Sequence, residues 1–123
     1  ELPEFRLPED PSPAEIRAGL AKEAEEIKKR IPKGAWFCVC TPEGKGLSSE
    51  ELAEKIAQSE MNGIGDLCFI IGSSHGLSDR VKKAANHRMS MSRLTFPHQL
   101  ARVMLFEAVY RAGEINRGTK YHK

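Results

Sequence analysis

The stretch Ala35-Trp-Phe-Cys-Val-Cys40 decides the fold, because a short, continuously apolar run is typical of a strand buried on both faces of a sheet. A second run of the same kind, Leu67-Cys-Phe-Ile-Ile71, follows later in the chain. Strands covered on both faces belong to parallel sheets, whose neighbouring strands are joined by crossover connections. The two runs therefore predict an α/β protein with a mostly parallel sheet.

Helical signals lie before, between and after these runs. Each begins at a serine that can cap a helix, and two of the three are complete capping boxes in which a glutamate follows three residues after the serine. The predicted helices run from Pro13 to about Arg30, from Ser48 to Asn62-Gly63, and from Ser78 to about Ala85. This alternation with the strands indicates right-handed βαβ crossovers, so we expect helices to flank the sheet.

The C-terminal part adds one strand and one helix. His87-Arg-Met-Ser-Met-Ser92 alternates polar and apolar residues, which indicates a third short strand. Thr95 is the expected cap of a last helix, from about Pro97 to Ala112. Apolar residues cover more than one stripe of this helix, so we expect it to be buried on several sides. Because so small a domain offers little core, we expect a second copy of the chain to cover it in a homodimer.

Length and composition bound the remaining possibilities. The chain has 123 residues, of which 40% are hydrophobic and 29% charged, as expected for one globular domain over residues 1–123. Three prolines make residues 1–11 an irregular segment, and the lack of an initiator Met predicts a truncated or processed chain. An odd number of cysteines, without a signal peptide or a long apolar stretch, indicates reduced thiols, a cytoplasmic location and no membrane partner.

Charge is spread unevenly along the chain. Residues 1–77 hold 9 Lys and Arg against 14 Asp and Glu, whereas residues 78–123 hold 10 against 3. A basic C-terminal third is a weak pointer to a polyanionic partner, and an ordinary solvated surface explains the same charge equally well.

Three glycine-containing or turn-rich segments follow the predicted strands: Thr41 to Gly46, Gly72 to Gly76, and Met91 to Pro97. In an open parallel sheet, ligands bind beyond the carboxyl ends of the strands, so these segments predict one crevice.

Several common sites are excluded by spacing. Gly72-Ser-Ser-His-Gly76 matches neither the dinucleotide fingerprint nor the P-loop. Cys38 and Cys40 lack a second Cys/His pair at zinc-like spacing, so we expect these thiols in the core and no metal.

Longer motifs carry a family resemblance. These are Phe69-Ile-Ile-Gly-Ser-Ser-His-Gly-Leu-Ser78, Met89-Ser-Met-Ser-Arg-Leu-Thr-Phe-Pro-His-Gln-Leu-Ala-Arg-Val103, and the terminal Tyr121-His-Lys123. Together they resemble the SPOUT-superfamily methyltransferases that act at N3 of a pseudouridine in large-subunit ribosomal RNA. The resemblance implies a parallel sheet with a deep C-terminal trefoil knot that forms the S-adenosylmethionine site. It also implies that a strand and a helix usual in the family are missing before Glu1.

The resemblance further assigns roles residue by residue. The cofactor contacts fall on Cys40, Gly72, Met91, Ser92, Arg93, Leu94, Thr95 and Phe96. In a mechanism where N3 of the base attacks the methyl group, the protein aligns the two and supplies a partner for the N3 proton, a role we assign to Tyr121 and His122. The tail of one protomer can serve its neighbour's cofactor in a dimer. RNA phosphates are expected on Arg111, Arg117 and Lys123.

Two other functions stay open. The chain departs from the family pattern at Cys40-Thr41-Pro42 and at Ser73, which suits a knotted protein that binds RNA without catalysis. The second alternative is a SPOUT methyltransferase with a different RNA target.

Overall fold

Three parallel strands and four helices make up residues 12–72 and 76–122, the part of the chain that the computed structural model describes. In chain order they are α1 (Pro13–Arg30), β1 (Trp36–Gly46), α2 (Ser49–Met61), β2 (Leu67–Ile71), α3 (Asp79–Ala84), β3 (His87–Ser90) and α4 (His98–Arg117). The sheet order is β2-β1-β3, with β1 in the centre and parallel to both neighbours. The predicted α/β class with a parallel sheet and flanking helices is therefore confirmed.

The central strand is covered on both faces, as its apolar run predicted. The consecutive residues Cys38 and Val39 point to opposite faces of the sheet, and neither is accessible to solvent. On the α2 and α4 face the buried core consists of Cys38, Leu52, Ala53, Ile56, Met89, Leu105 and Ala112. On the α1 and α3 face it consists of Ala24, Ile27, Val39, Leu77, Val81 and Ala85. The sheet thus separates two cores, each closed by its own pair of helices.

The predicted starts of α1, α2 and α3 are confirmed by hydrogen bonds of their capping serines. Ser12 Oγ accepts a hydrogen bond from the N–H of Glu15, and the Glu15 carboxylate accepts one from the N–H of Ser12, both at 3.1 Å. Ser48 and Glu51 form the same reciprocal pair at the start of α2. Ser78 Oγ accepts from the N–H of Val81 and caps α3. Each cap satisfies backbone donors that the first turn of a helix leaves unpaired, which is worth about 1 kcal/mol.

The end of β1 differs from the prediction. The segment Thr41–Gly46, expected as a loop, belongs to β1 and pairs again with β3, where Lys45 lies opposite Met89 and Gly46 opposite Ser90. The register is irregular between Cys40 and Lys45, so the intervening residues bulge out of the ladder. Conversely, β3 ends at Ser90, two residues before the end of the alternating pattern. The pattern of apolar residues does not predict this bulge, because the added pairing depends on the close approach of the β1 and β3 backbones.

Both ends of α4 also differ from the prediction. Thr95 does not cap the helix, because Pro97 occupies the N-cap position and provides no side-chain hydrogen bond. The helix continues past Gly113 to Arg117 and ends at Gly118, which adopts a left-handed conformation. An interior glycine costs about 1 kcal/mol. Contacts of the last turn with α2 offset this cost, since Asn116 Nδ2 donates a 3.0 Å hydrogen bond to the carbonyl of Ala53.

One side of α4 is exposed in the part of the chain that the structure describes. Leu105 and Ala112 are buried against α2 and the sheet. The large apolar residues on the other side are 47–65% exposed, namely Leu100, Val103, Phe106 and Tyr110. Residues 12–72 and 76–122 therefore bury only part of the apolar surface of this helix.

Candidate functional site

The carboxyl ends of the three strands meet at one edge of the sheet. Cys40 lies opposite Ile71 of β2 and opposite Met89 of β3. Gly72 follows directly after Ile71, and Met91 follows directly after the last residue of β3. The structure therefore brings the three segments predicted to line one crevice to the same edge, up to residues 73–75, which lie outside the described residues.

Two glycines at this edge allow backbone segments to approach each other closely. A Cβ atom at Gly44 would lie 2.8 Å from the carbonyl carbons of both Arg88 and Met89 in the backbone of β3. A Cβ at Gly72 would lie 2.8 Å from Leu77 Cγ and 2.9 Å from the carbonyl carbon of Gly76. Real Cβ atoms do not tolerate such distances, so both positions need glycine.

The segment Met91–Phe96 presents backbone groups and apolar side chains. Among the described residues, the backbone of Ser92–Phe96 forms no hydrogen bond with another backbone group, although the N–H of Leu94 donates to Ser92 Oγ at 2.9 Å. Met91 packs against the core, whereas Leu94 is 71% exposed. Arg93 and Thr95 are exposed and Phe96 is half-buried. This segment can therefore bind a ligand through free peptide groups and an apolar surface.

The cysteines at this edge are not nucleophiles at neutral pH. Burial raises the pKa of the Cys40 thiol to about 11, and burial together with the neighbouring Cys40 raises the pKa of Cys38 to about 12. Cys38 is buried in the core, as predicted, and Cys40 packs against the same cluster. Because both thiols stay protonated, Cys40 contributes shape rather than charge.

The C-terminal tail folds back onto α4 and the first turn of α2. Tyr121 Oη donates a 2.8 Å hydrogen bond to Glu107, and the Tyr121 ring lies 4.9 Å from the guanidinium carbon of Arg111. Nδ1 of His122 lies 3.1 Å from Nη1 of Arg111, and its Nε2 lies 2.6 Å from Oε1 of Glu50. The two predicted catalytic residues are thus held together by a chain of hydrogen bonds.

This tail cluster lies close to the carboxyl edge of the sheet. Glu50 follows the last residue of β1, Gly46, by only four positions, and four residues span at most about 14 Å. Gly46 itself pairs with Ser90 at the start of the Met91–Phe96 segment. The fold therefore places the tail and the three strand ends in one region.

Electrostatics keep Glu107 and Tyr121 in one protonation state near neutral pH. The Arg111 hydrogen bond, followed by the Tyr121 hydrogen bond, holds the pKa of Glu107 below its usual range. The same carboxylate raises the pKa of Tyr121, mainly through their hydrogen bond. Tyr121 therefore keeps its proton while Glu107 is ionised.

The candidate phosphate-binding cations have carboxylate partners in this structure. Arg111 Nε donates to Glu107 at 2.8 Å, and Arg117 is paired with Glu114 on the same helix. Lys123 lies outside the described residues. Nε and Nη1 of Arg111 are engaged in the tail cluster, so a phosphate contact through either atom requires that atom to exchange its partner.

Two residues of this cluster, Glu50 and Glu107, were missed by sequence reasoning. Glu107 precedes Arg111 by one helical turn, a spacing typical of an ion pair and readable from the sequence. Glu50 carries no such signal, because acidic residues are common in the first turn of any helix. Its contact with His122 depends on how α2 packs against α4.

The described residues contain neither a metal-binding cluster nor a membrane-spanning helix. No group of three or more His, Cys, Asp or Glu side chains in residues 12–72 and 76–122 is arranged to hold a metal ion. None of the described helices combines the length and the apolar character needed to cross a bilayer.

Comparisons with known proteins agree on one family. A family model described as "Predicted SPOUT methyltransferase" matches residues 1–122. The chain is 45% identical over 123 residues to the Ribosomal RNA large subunit methyltransferase H of Clostridioides difficile, covering 100% of this chain and 77% of that protein. The protein of the same name from Lactococcus lactis subsp. cremoris is 43% identical with the same coverage. That of Caldicellulosiruptor bescii is 50% identical over 108 residues, which cover 88% of this chain and 70% of that protein.

Proposed function

The chain belongs to the SPOUT methyltransferase family, and from this premise we propose that it methylates N3 of a pseudouridine in large-subunit ribosomal RNA, with S-adenosylmethionine as methyl donor. The reaction takes place in the cytoplasm, on ribosomal RNA or the ribosome. The observation that carries the proposal is the meeting of three strand ends and the C-terminal tail in one region.

The residues at the sheet edge fit S-adenosylmethionine. Gly72 allows a close backbone approach, and the backbone of Ser92–Phe96 forms no hydrogen bond with another described backbone group. Met91, Leu94 and Phe96 offer apolar contact to an adenine ring. When bound, the cofactor supplies an electrophilic methyl group on a sulfonium. The residues proposed to hold it are Cys40, Gly72, Met91, Ser92, Arg93, Leu94, Thr95 and Phe96.

Tyr121 and His122 are the proposed partners of the nucleobase. Both are hydrogen-bonded to carboxylates in this structure, through Glu107 and Glu50. A nucleobase can replace Glu107 on Tyr121 or Arg111 on His122, and it then meets a donor or a base that is already oriented. Arg111, Arg117 and Lys123 then bind phosphates, which supply affinity independent of sequence.

The exposed side of α4 supports the proposed homodimer. Val103 and Phe106 are 63% and 65% exposed on a helix whose other side packs against the core. Burying such a stripe against a second copy removes apolar surface from water. Light scattering is expected to show a dimer at micromolar concentration, and Phe106→Glu is expected to convert it to a monomer. A monomeric wild-type chain would contradict the proposed dimer.

The deep C-terminal knot is also part of the proposal and is supported by family membership. Its direct test is the backbone trace of a crystal soaked with the cofactor. An α4 segment threaded through a closed loop is expected, and a trace without threading would contradict it.

The methylation proposal is tested by tritium transfer from labelled S-adenosylmethionine to ribosomal RNA with and without the pseudouridine. Label in the pseudouridine RNA alone is the expected result. Label in both RNAs would indicate a different RNA target. Calorimetry measures whether the chain binds the cofactor. A chain that binds RNA but neither binds the cofactor nor transfers a methyl group would be a knotted protein that binds RNA without catalysis.

A further inference from the structure

Both ring nitrogens of His122 have partners of opposite character. Nδ1 faces Nη1 of Arg111 at 3.1 Å, and Nε2 faces Oε1 of Glu50 at 2.6 Å. A guanidinium can only donate, so Nδ1 must be the acceptor and carry no proton. Nε2 therefore carries the proton and donates it to Glu50, which fixes one neutral tautomer of the imidazole.

The partners on the two sides are themselves held in place. Arg111 is anchored by its 2.8 Å bond to Glu107. Glu50 lies on the first turn of α2, and its hydrogen bond with its own backbone N–H, followed by that with His122, holds the pKa of its carboxyl below the usual range. The carboxylate is therefore ionised at neutral pH, as a strong acceptor requires.

Neighbouring acidic residues of α2 do not share this position. Oε1 of Glu51 accepts from the N–H of Ser48 at 3.0 Å and completes the helix cap. Glu54 lies one turn further along the helix and is exposed. Among the described residues, Glu50 is thus the carboxylate by which α2 contacts the tail histidine.

We infer that Glu50 is a positioning residue for His122: it fixes the Nε2–H tautomer together with Arg111 and holds the tail near the carboxyl edge of the sheet. The part of this inference that concerns catalysis rests on the proposed function. When Arg111 turns to the RNA, Nδ1 is released with its lone pair available. The N3–H bond of the base then breaks, the proton forms a bond with Nδ1, and N3 keeps the electron pair.

The charge of Glu50 suits this step. After the proton transfer the imidazole is an imidazolium whose Nε2–H still points at a carboxylate, so the positive charge forms at a place where an anion already stands. A carboxylate behind a histidine also orients the ring, which is the usual role of such a partner in metal sites.

The inference is tested by nitrogen and proton NMR of the His122 ring in the full chain, assigned with a His122→Gln variant. The wild-type chain is expected to show an Nε2–H proton protected from exchange. Glu50→Ala is expected to lose this protected signal, and Glu50→Gln to keep it because an amide oxygen still accepts. Glu54→Ala is the matched control and is expected to leave the signal unchanged.

Kinetics supply an independent readout. Glu50→Ala is expected to lower kcat about 10- to 100-fold, as for carboxylates behind metal-bound histidines, with little change in the KM for the methyl donor. Glu50→Gln is expected to recover part of that loss, and Glu54→Ala to keep the wild-type rate.

Two results overturn the inference. The first is a protected Nε2–H signal that persists in Glu50→Ala, whatever the transfer assay shows. The second is an equal loss of kcat in Glu50→Ala and Glu54→Ala. A wild-type chain that shows the expected NMR pattern but no methyl transfer would contradict the proposed function. It would still support the role of Glu50 in positioning His122.

Discussion

The two halves of β1 differ in what holds them and in what they do. The first half, Trp36–Cys40, pairs with both neighbouring strands in regular register and is buried on both faces. The second half, Thr41–Gly46, pairs with β3 after an irregular stretch, and most of its residues are exposed or half-buried. Packed side chains hold the first half in place, whereas close contact with the backbone of β3 holds the second half.

This difference separates stability from function within one strand. Apolar side chains on both faces make the first half part of two cores. The bulge in the second half leads the chain out of the regular ladder at the carboxyl edge, where ligands bind in parallel sheets. Substitutions in the first half are therefore expected to affect folding, and those in the second half to affect the site with smaller losses of stability.

The largest effect is expected for Val39→Asp. An unpaired carboxylate in the inaccessible position of Val39 is expected to cost at least about 3 kcal/mol, a large part of the stability of a small domain. Thermal unfolding followed by circular dichroism is expected to lose its cooperative transition or shift it far down. Leu94→Asp, at a site 71% exposed, is the control and should unfold near the wild-type temperature. Similar transitions in the two variants would show that the first half is not the centre of the fold.

A smaller effect is expected for Gly44→Ala in the second half. The new Cβ would lie 2.8 Å from backbone atoms of β3, and relieving this clash is expected to cost about 1–3 kcal/mol. Gly46→Ala is the matched control, because nothing lies within 4 Å of a Cβ there and its effect should stay within about 0.5 kcal/mol. Urea unfolding of both variants checks the difference, and equal midpoints would contradict the close approach.

A pH effect is expected beside the first half, at His87. Its Nε2 is buried without a hydrogen-bond partner among the described residues, and its ring stacks on Trp36 with centroids 6.5 Å apart. Burial, followed by Lys55, Lys45 and Arg88, lowers the pKa of this imidazole. The unfolded chain then binds the proton more readily, so stability falls as pH decreases below the unfolded value of about 6.5.

The measurement is the free energy of unfolding at several pH values between neutral and mildly acidic. His87→Gln is expected to flatten the part of the curve that this group causes. If the unfolding free energy of the variant depends on pH in the same way as that of the wild-type chain, His87 is not the cause of the pH effect.

The smallest effect is expected for Glu43→Gln in the exposed part of the second half. The hydrogen bond from Lys82, at 2.5 Å, is the main cause that lowers the pKa of Glu43 to about 2. The stabilisation it provides is present above the unfolded pKa and is lost as pH falls toward the folded one. Because the Glu43 side chain is 62% exposed, solvent screening limits the loss to about 1 kcal/mol or less. Unfolding in low and high salt checks this, and a loss unaffected by salt would contradict an ion pair.

Local sequence signals were sufficient where local physics decides. Capping boxes located the starts of α1 and α2, and apolar runs located the first half of β1 and all of β2. The three segments at the carboxyl edge followed from parallel topology alone.

Features that depend on distant contacts could not be predicted in this way. The second half of β1 exists because Gly44 lies against β3, and α4 passes Gly113 because its last turns contact α2. Family resemblance directed attention to Tyr121 and His122. Glu50, the carboxylate partner of His122, could not be predicted because its contact depends on how α2 lies against the tail.

The central claim is that the carboxyl edge of the sheet binds the methyl donor. The most direct measurement is titration of the nitrogen-labelled chain with S-adenosylmethionine, followed by amide NMR. The account predicts shifts concentrated at Cys40, Gly72 and Met91–Phe96. Shifts confined to α1 and α3 on the other face, or no saturable shifts, would contradict it.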